Sequence, residues 1–157
     1  YAPTQQTAEE ISRAMEDAVG VVHIARTEGT VLAGGGASQV ELAMSLRDYS
    51  TSVGGLESLA VEAFADSLEI IPLTLAENSG QFKPIATLRE LRKAHAEGQK
   101  NAGLNVHTGE VVDMASENVV EPLKVILSAL ESATATASLL LRIDNIIIAR
   151  EPDEFGE

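Results

Sequence analysis

Val31-Leu32-Ala33-Gly34-Gly35-Gly36-Ala37 is the stretch from which the rest of the chain can be read. Three adjacent residues without a Cβ cost backbone entropy, so a chain keeps them where backbone must approach something closely or where φ must be positive. Ser38 to Leu46 then resumes a helical pattern. A glycine-rich turn that opens a helix presents free N–H groups at the positive end of the helix dipole, which suits a nucleotide or another anion. The same residues also suit a tight turn between two helices, so the flanking sequence has to decide.

Upstream, Thr7-Ala8-Glu9-Glu10 has the form of a capping box, in which the Thr7 hydroxyl accepts from the Glu10 N–H and the Glu10 carboxylate reaches back to Thr7. A helix is expected from Thr7 to about Arg26, with Ile11, Met15, Ala18 and Val22 as its apolar stripe. Glu28-Gly29 ends it. Asp17 falls one position off that stripe, which by spacing alone makes it a boundary carboxylate.

Downstream, Ala37 to Tyr49 reads as a second helix, with Val40, Ala43, Met44 and Leu46 inward and Gln39, Glu41, Arg47 and Asp48 outward. Ser50 to Gly55 reads as a loop. A third helix is expected from Leu56 to Ile71, packed through Leu59, Ala60, Ala63, Phe64 and Leu68. Pro72 should kink or end it, and Leu73 to Asn78 can add a further helical turn. Pro84 suits the start of a fourth helix, with Ile85, Leu88 and Leu91 inside and Arg89, Glu90, Arg92 and Lys93 outside. His95 extends that apolar face and reads as a packing residue, because histidines at 23, 95 and 107 have no metal-binding spacing. Leu104 to His107 and Glu110 to Asp113 alternate around Thr108-Gly109 as a hairpin. Glu121-Pro122 opens the longest helix, with Leu123, Ile126, Leu130, Ala133, Ala137 and Leu140 on its core face. Arg142 to Asn145 breaks the pattern, Ile146-Ile147-Ile148 suits a strand in need of a partner, and the acidic tail Glu151 to Glu157 is expected to be disordered.

The chain has 157 residues and a net charge of -13, with 24 acidic side chains against 11 basic ones. That balance argues against nucleic acid or an anionic membrane as a partner, since phosphates are repelled. Hydrophobic residues make up 45% but aromatics only 3%, so the core has to be built from Ala, Val, Ile and Leu, which favours closely packed helices. There is no cysteine, no uninterrupted apolar run of spanning length and no basic-then-apolar leader pattern, so a cytoplasmic protein is expected. The phosphate-loop, dinucleotide, zinc-protease and nucleophile-elbow motifs are all missing.

Several segments, taken in order, resemble the group II chaperonins of archaea and the eukaryotic cytosol, the thermosome and TCP-1 type. They are Met15-Glu16-Asp17-Ala18; Ala33-Gly34-Gly35-Gly36-Ala37 with Glu41-Leu42; and Ala60-Val61-Glu62-Ala63-Phe64-Ala65-Asp66 with Ile71-Pro72 and Leu75-Ala76-Glu77-Asn78. Gly103-Leu104-Asn105-Val106, Asp113-Met114, Val120-Glu121-Pro122 and Leu141-Arg142-Ile143-Asp144 complete the set. The resemblance runs from about Ile11 to Ala149.

It implies a mainly α fold, a helical bundle like the chaperonin equatorial domain with a small β-hairpin and a C-terminal strand. Residues 1–27 then match the end of the intermediate domain, 28–150 the C-terminal half of the equatorial ATP-binding domain, and 151–157 an acidic tail. By resemblance Asp17 positions the water that attacks ATP, a role that needs orientation more than a strong base. Gly34, Gly35 and Gly36 let backbone lie against the nucleotide; Asn105, Val106 and His107 surround the adenine; and Glu121 faces the ribose, where a carboxylate can accept two hydroxyl hydrogen bonds. His107 stands where small or aromatic residues are usual. The implied cofactors are ATP and Mg²⁺, and the implied partners are other subunits in two stacked rings and unfolded client proteins, with Ile146 to Ile148 pairing with a neighbouring subunit's hairpin. The family's Gly-Asp-Gly-Thr-Thr phosphate loop and its apical domain have no counterpart in these residues. The 157 residues alone are therefore expected to hydrolyse little or no ATP, and a non-enzymatic helical oligomerisation scaffold is the alternative reading.

Overall fold

The computed structural model describes residues 3–80 and 83–144. Helix α1 (Gln5–Glu28) leads into strand β1 (Val31–Ala33), and the glycine turn opens α2 (Ala37–Val53). Next come α3 (Gly55–Asn78), α4 (Pro84–Ala96), β2 (Ala102–Leu104), β3 (Val111–Asp113), β4 (Val120–Pro122) and α5 (Leu123–Leu140). Two small antiparallel sheets result: β1 pairs with β4, placing Leu32 opposite Glu121, and β2 pairs with β3, placing Leu104 opposite Val111. The mainly α expectation holds, and so does the hairpin. Its strands are shorter than the alternation suggests, the first beginning two residues earlier and the second one residue later, because Asn105 to Glu110 is drawn into the turn.

The expected capping box does not form. Thr4, one turn earlier, is the cap: its hydroxyl accepts from the Thr7 N–H at 3.1 Å and lies 2.7 Å from the Thr7 hydroxyl. Glu10 faces Arg13 instead, at 3.8 Å. The stripe Ile11, Met15 and Val22 has the spacing expected, but no residue of α1 is buried. α1 touches the rest of the chain through β4 and α5, where Lys124 reaches Glu28 at 3.4 Å.

Helices α2 and α3 form the main layer, and each differs from its sequence pattern. Ser50 to Val53 is helical and Gly55 already opens α3, so the expected loop shrinks to Gly54. α3 runs unbroken through Pro72, and it packs through Ala65, Leu68, Pro72 and Ala76, while Leu59, Ala60, Ala63 and Phe64 are exposed. α3 is apolar over more than one face, and the smaller side chains take the tight contact with α2, where Ala43, Ala65 and Leu68 meet. On α4 the inward residues are Thr87, Leu91, Ala94 and His95, with Leu88 half-buried and Ile85 exposed. α5 packs through Ile126 and Leu130, whereas Ala133, Ala137 and Leu140 of its expected core face are exposed. Among the described residues, α5 alone has the length and composition of a membrane span. Lys124, Glu131 and the hydroxyls of Thr134 and Thr136, which bond back to Leu130 and Ser132 carbonyls, run along it. The expected strand Ile146 to Ile148 and the tail from Glu151 lie outside the described residues.

Three polar residues expected to face outward, Arg47, Arg92 and Glu41, instead tie helices together. Arg47 on α2 donates to Glu69 on α3 at 2.7 and 2.5 Å, and to Asp66 at 2.7 Å. Arg92 on α4 joins through Nε at 2.7 Å and through Nη2, so two guanidiniums enclose one carboxylate. Glu41 turns toward His95, whose ring is fully buried.

Candidate functional site

The three glycines are the junction at which the two sheets meet. The Gly34 N–H donates to the Val119 carbonyl at 2.9 Å, and the Leu104 N–H donates to the Gly35 carbonyl at 2.9 Å. Gly35 and Gly36 have φ of 65° and 80°, a region that a Cβ disfavours. Space forbids a Cβ as well: on Gly35 it would stand 2.9 Å from the Leu104 carbonyl oxygen, and on Gly36 2.7 Å from Pro72 Cβ. Close approach and positive φ thus apply together, and the Pro72 ring fills the space that Gly36 leaves. The expected set of free N–H groups is reduced, because Gly34 donates to Val119 and Ala37 donates to the Gly34 carbonyl at 3.2 Å.

Beside this junction lies a pocket of about 420 Å³, lined by Gly35, Leu75, Leu104, Asn105, Val106, His107, Met114, Glu117 and Val119. One edge is the loop between β2 and β3. Asn105 shapes that loop, its Oδ1 accepting from the N–H groups of His107 at 3.0 Å and Thr108 at 3.3 Å. The floor is Met114, buried with Ala33 and Ala37. Gly103 is a further requirement that the sequence reading passed over: a Cβ there would come within 2.5 Å of Met114 Cγ and 2.6 Å of the Gly34 carbonyl. The expected strand starts at Leu104, so the mark of close approach, a glycine inside a strand, shows only once β2 is seen to run from Ala102.

Glu121 occupies β4 on the other side of the glycine turn, next to Gln39 in the first turns of α2. Burial pushes its carboxyl above the ordinary range, and the Gln39 amide partly opposes that. The Gln39 Oε1 is buried and has no hydrogen-bond partner among the described residues.

Seven of the eight residues singled out in the sequence therefore gather around one backbone junction: Gly34, Gly35 and Gly36 in the turn, Asn105, Val106 and His107 on one side, and Glu121 on the other. Asp17 is not among them. It is exposed on α1, eleven residues before the helix end, which at 1.5 Å per residue is about 16 Å along the axis. The described residues contain no cluster of three metal-ligating side chains.

A mainly α unit with two small sheets joined at a triple-glycine turn, and a pocket beside that turn, is the architecture of a chaperonin equatorial-type fold. A monomer of a group II chaperonin from Methanococcoides burtonii in its open state is similar, with a TM-score of 0.76 at 45% identity over 89% of this chain and 35% of that one. The sequence matches the TCP-1/cpn60 chaperonin family over residues 1–151, and the chain belongs to that family. It is similar to a thermosome subunit of Methanopyrus kandleri, 56% identical over 94% of this chain, and to thermosome subunit alpha of Halobacterium salinarum, 53% identical over 93%. It spans 27% and 26% of those two relatives.

Proposed function

We propose that these residues form part of an ATP-dependent chaperonin subunit, in which nucleotide binding and hydrolysis drive the folding of unfolded proteins inside a double ring in the cytoplasm. The observation that carries this reading is the convergence of the glycine turn, the Asn105–His107 loop and the Glu121 strand on one junction. On this reading residues 28–150 are the C-terminal half of the equatorial domain, 1–27 the end of the intermediate domain and 151–157 a tail. A base fits the pocket, whose walls at Leu104, Val106, Met114 and Val119 are apolar and whose Gly35 offers no side chain to block a flat ring. Gly34 to Gly36 lie against the nucleotide, and Glu121 accepts from the ribose hydroxyls. Mg²⁺ comes with the phosphates, since this ion is usually held through one or two carboxylates together with substrate phosphates.

Asp17 orients the attacking water, and since it stands exposed on a helix that buries none of its residues, it has to be carried to the phosphates by movement of α1. The helical scaffold without ATPase activity is not favoured, because the family model is that of the TCP-1/cpn60 chaperonins and the relatives are thermosome subunits. The test is Asp17→Asn in the full-length protein. Mg-ATP turnover should fall by about 100-fold or more, a typical loss for a positioned general base, while Mg-ADP still binds. Unchanged turnover would remove Asp17 from the mechanism, and failure of the wild type to bind Mg-ADP would remove the nucleotide reading altogether.

A further inference from the structure

His95 ends α4 against two other elements. Its Nδ1 lies 2.7 Å from Glu41 Oε2, and its Nε2 lies 2.8 Å from the Ala102 carbonyl oxygen. Glu41 is on α2, five residues past Gly36, and Ala102 opens β2, three residues before Asn105. The two arms of the ring therefore tie α2, which follows the glycine turn, to β2, which leads into the Asn105 loop, and the residues flanking both ties, Gly35 and Asn105, line the pocket. Both partners are acceptors. A neutral imidazole carries one N–H and can donate to only one of them, leaving a lone pair turned toward the other; the imidazolium donates to both.

We propose that His95 is a positioning residue for nucleotide binding: through a proton-dependent pair of hydrogen bonds to Glu41 and the Ala102 carbonyl, it sets the separation between the glycine turn and the Asn105–His107 loop. This rests on the nucleotide reading of the pocket. The charged groups around the ring are few. Glu41 faces it from α2, and Lys100, in the connection from α4 to β2, stands 3.8 Å from the other Glu41 oxygen. β2, Ala102-Gly103-Leu104, carries no titratable side chain. On β3, Asp113 accepts from the Ala115 and Ser116 N–H groups, and on α3, Glu69 is held by Arg47 and Arg92. Among the described residues Glu41 is thus the carboxylate bonded to the ring, and a ring that has lost a proton keeps only one of its two bonds as a donor.

Glu41→Gln separates this role from packing. Its amide can donate to an unprotonated Nδ1 while Nε2–H still donates to Ala102, so the neutral ring satisfies both partners. The experiment is calorimetric titration of the full-length protein with Mg-ADP at about pH 6 and about pH 8.5, on wild type, Glu41→Gln and His95→Phe. Wild type should weaken between the two pH values by roughly 3- to 10-fold more than Glu41→Gln, the range expected for one hydrogen bond. His95→Phe should bind more weakly than wild type at the lower pH and show the smaller pH ratio of Glu41→Gln. His107 lines the pocket in all three proteins alike, so its contribution cancels in the comparison. Equal pH ratios in wild type and Glu41→Gln, or wild-type affinity in His95→Phe, would overturn the proposal. Should His95→Phe fail to fold, the ratio for Glu41→Gln decides alone. A wild type that ignores Mg-ADP sinks the nucleotide reading and this inference together, whereas a wild type that binds with ratios unchanged by Glu41→Gln sinks only the inference.

Discussion

Replacing Glu69 with Gln should unlock three helices at once. Glu69 is 4% exposed and accepts from Arg47 on α2 and Arg92 on α4, two contacts from each guanidinium. Burial pushes its carboxyl up, but the hydrogen bonds and charges of Arg47 and Arg92 overcome this and hold it near 2 against an ordinary 4.5. At 1.36 kcal/mol per unit, that difference corresponds to about 3 kcal/mol of stability. In Glu69→Gln the charge is lost, and the new amide N–H₂ points a donor at guanidinium donors. Both arginines are partly exposed, at 29% and 44% of their side chains, and Asp66 remains beside Arg47, so water and Asp66 recover part of the loss. The expected cost at pH 7 is about 2 kcal/mol, below the ~3–5 kcal/mol of a fully buried broken pair.

The sign of the pH dependence separates this mechanism from a packing defect. A carboxyl depressed in the folded state contributes its full stability above its unfolded value of about 4.5 and loses it as the pH falls toward 2. The gap between wild type and Glu69→Gln should therefore be present at neutral pH and shrink toward zero as the pH approaches 2. Denaturant unfolding of the full-length protein at several pH values measures it. A gap that stays constant down to pH 2, or is absent at pH 7, would refute the reasoning.

Gly36→Ala should cost more stability than Gly29→Ala: both have positive φ, worth about 1–2 kcal/mol, but only at Gly36 does the new Cβ meet Pro72 at 2.7 Å. Equal shifts in melting temperature would mean that Pro72 gives way at no cost. Glu121→Gln should raise the stability of the nucleotide-free protein at pH 7, because burial disfavours the charged carboxylate, and the gain should vanish as the pH falls below its ordinary value of 4.5 and the wild-type group protonates. The same variant should weaken Mg-ADP binding, so a loss of nucleotide-free stability at pH 7 would contradict the assigned burial penalty.

The glycine turn was legible because backbone needs are local: Gly35 and Gly36 show in their own residue types what φ and spacing require. The hairpin and the Pro84 helix start were legible for the same reason. Polar ties across helices were not. Arg47 and Glu69 are 22 residues apart and Glu41 and His95 are 54 apart, and Arg47 and Glu41 satisfy an amphipathic pattern by standing on the polar side of their helix. Periodicity assigns a face to a helix, whereas the partner that a long side chain reaches from the edge of that face depends on how helices cross. Pro72 shows the same limit from the other direction. Its ring breaks a helix by local rules, yet α3 continues through it because the ring is buried against a residue that has no side chain.

The apolar stripes that the structure leaves open have a different cause. Ile11, Met15 and Val22 on α1, Leu59 and Phe64 on α3, and Leu139 and Leu140 at the end of α5 are exposed, although the first and last helices carry regular helical patterns. A stripe at helical spacing reflects burial over the whole folded assembly in which a sequence was selected, and it says nothing of where in the sequence the covering residues lie. The matched segment is 26% or 27% of each thermosome relative, so most residues that could cover those faces there have no counterpart in this segment. The exposed residue that matters most by resemblance, Asp17, lies on the least covered of these helices. Coverage and catalysis on this reading have one requirement, which is that α1 be held against nucleotide and protein surfaces that these residues do not supply. Covering α1 without aligning Asp17 would restore stability and leave Mg-ATP turnover low, so the two effects can be measured separately in the full-length protein.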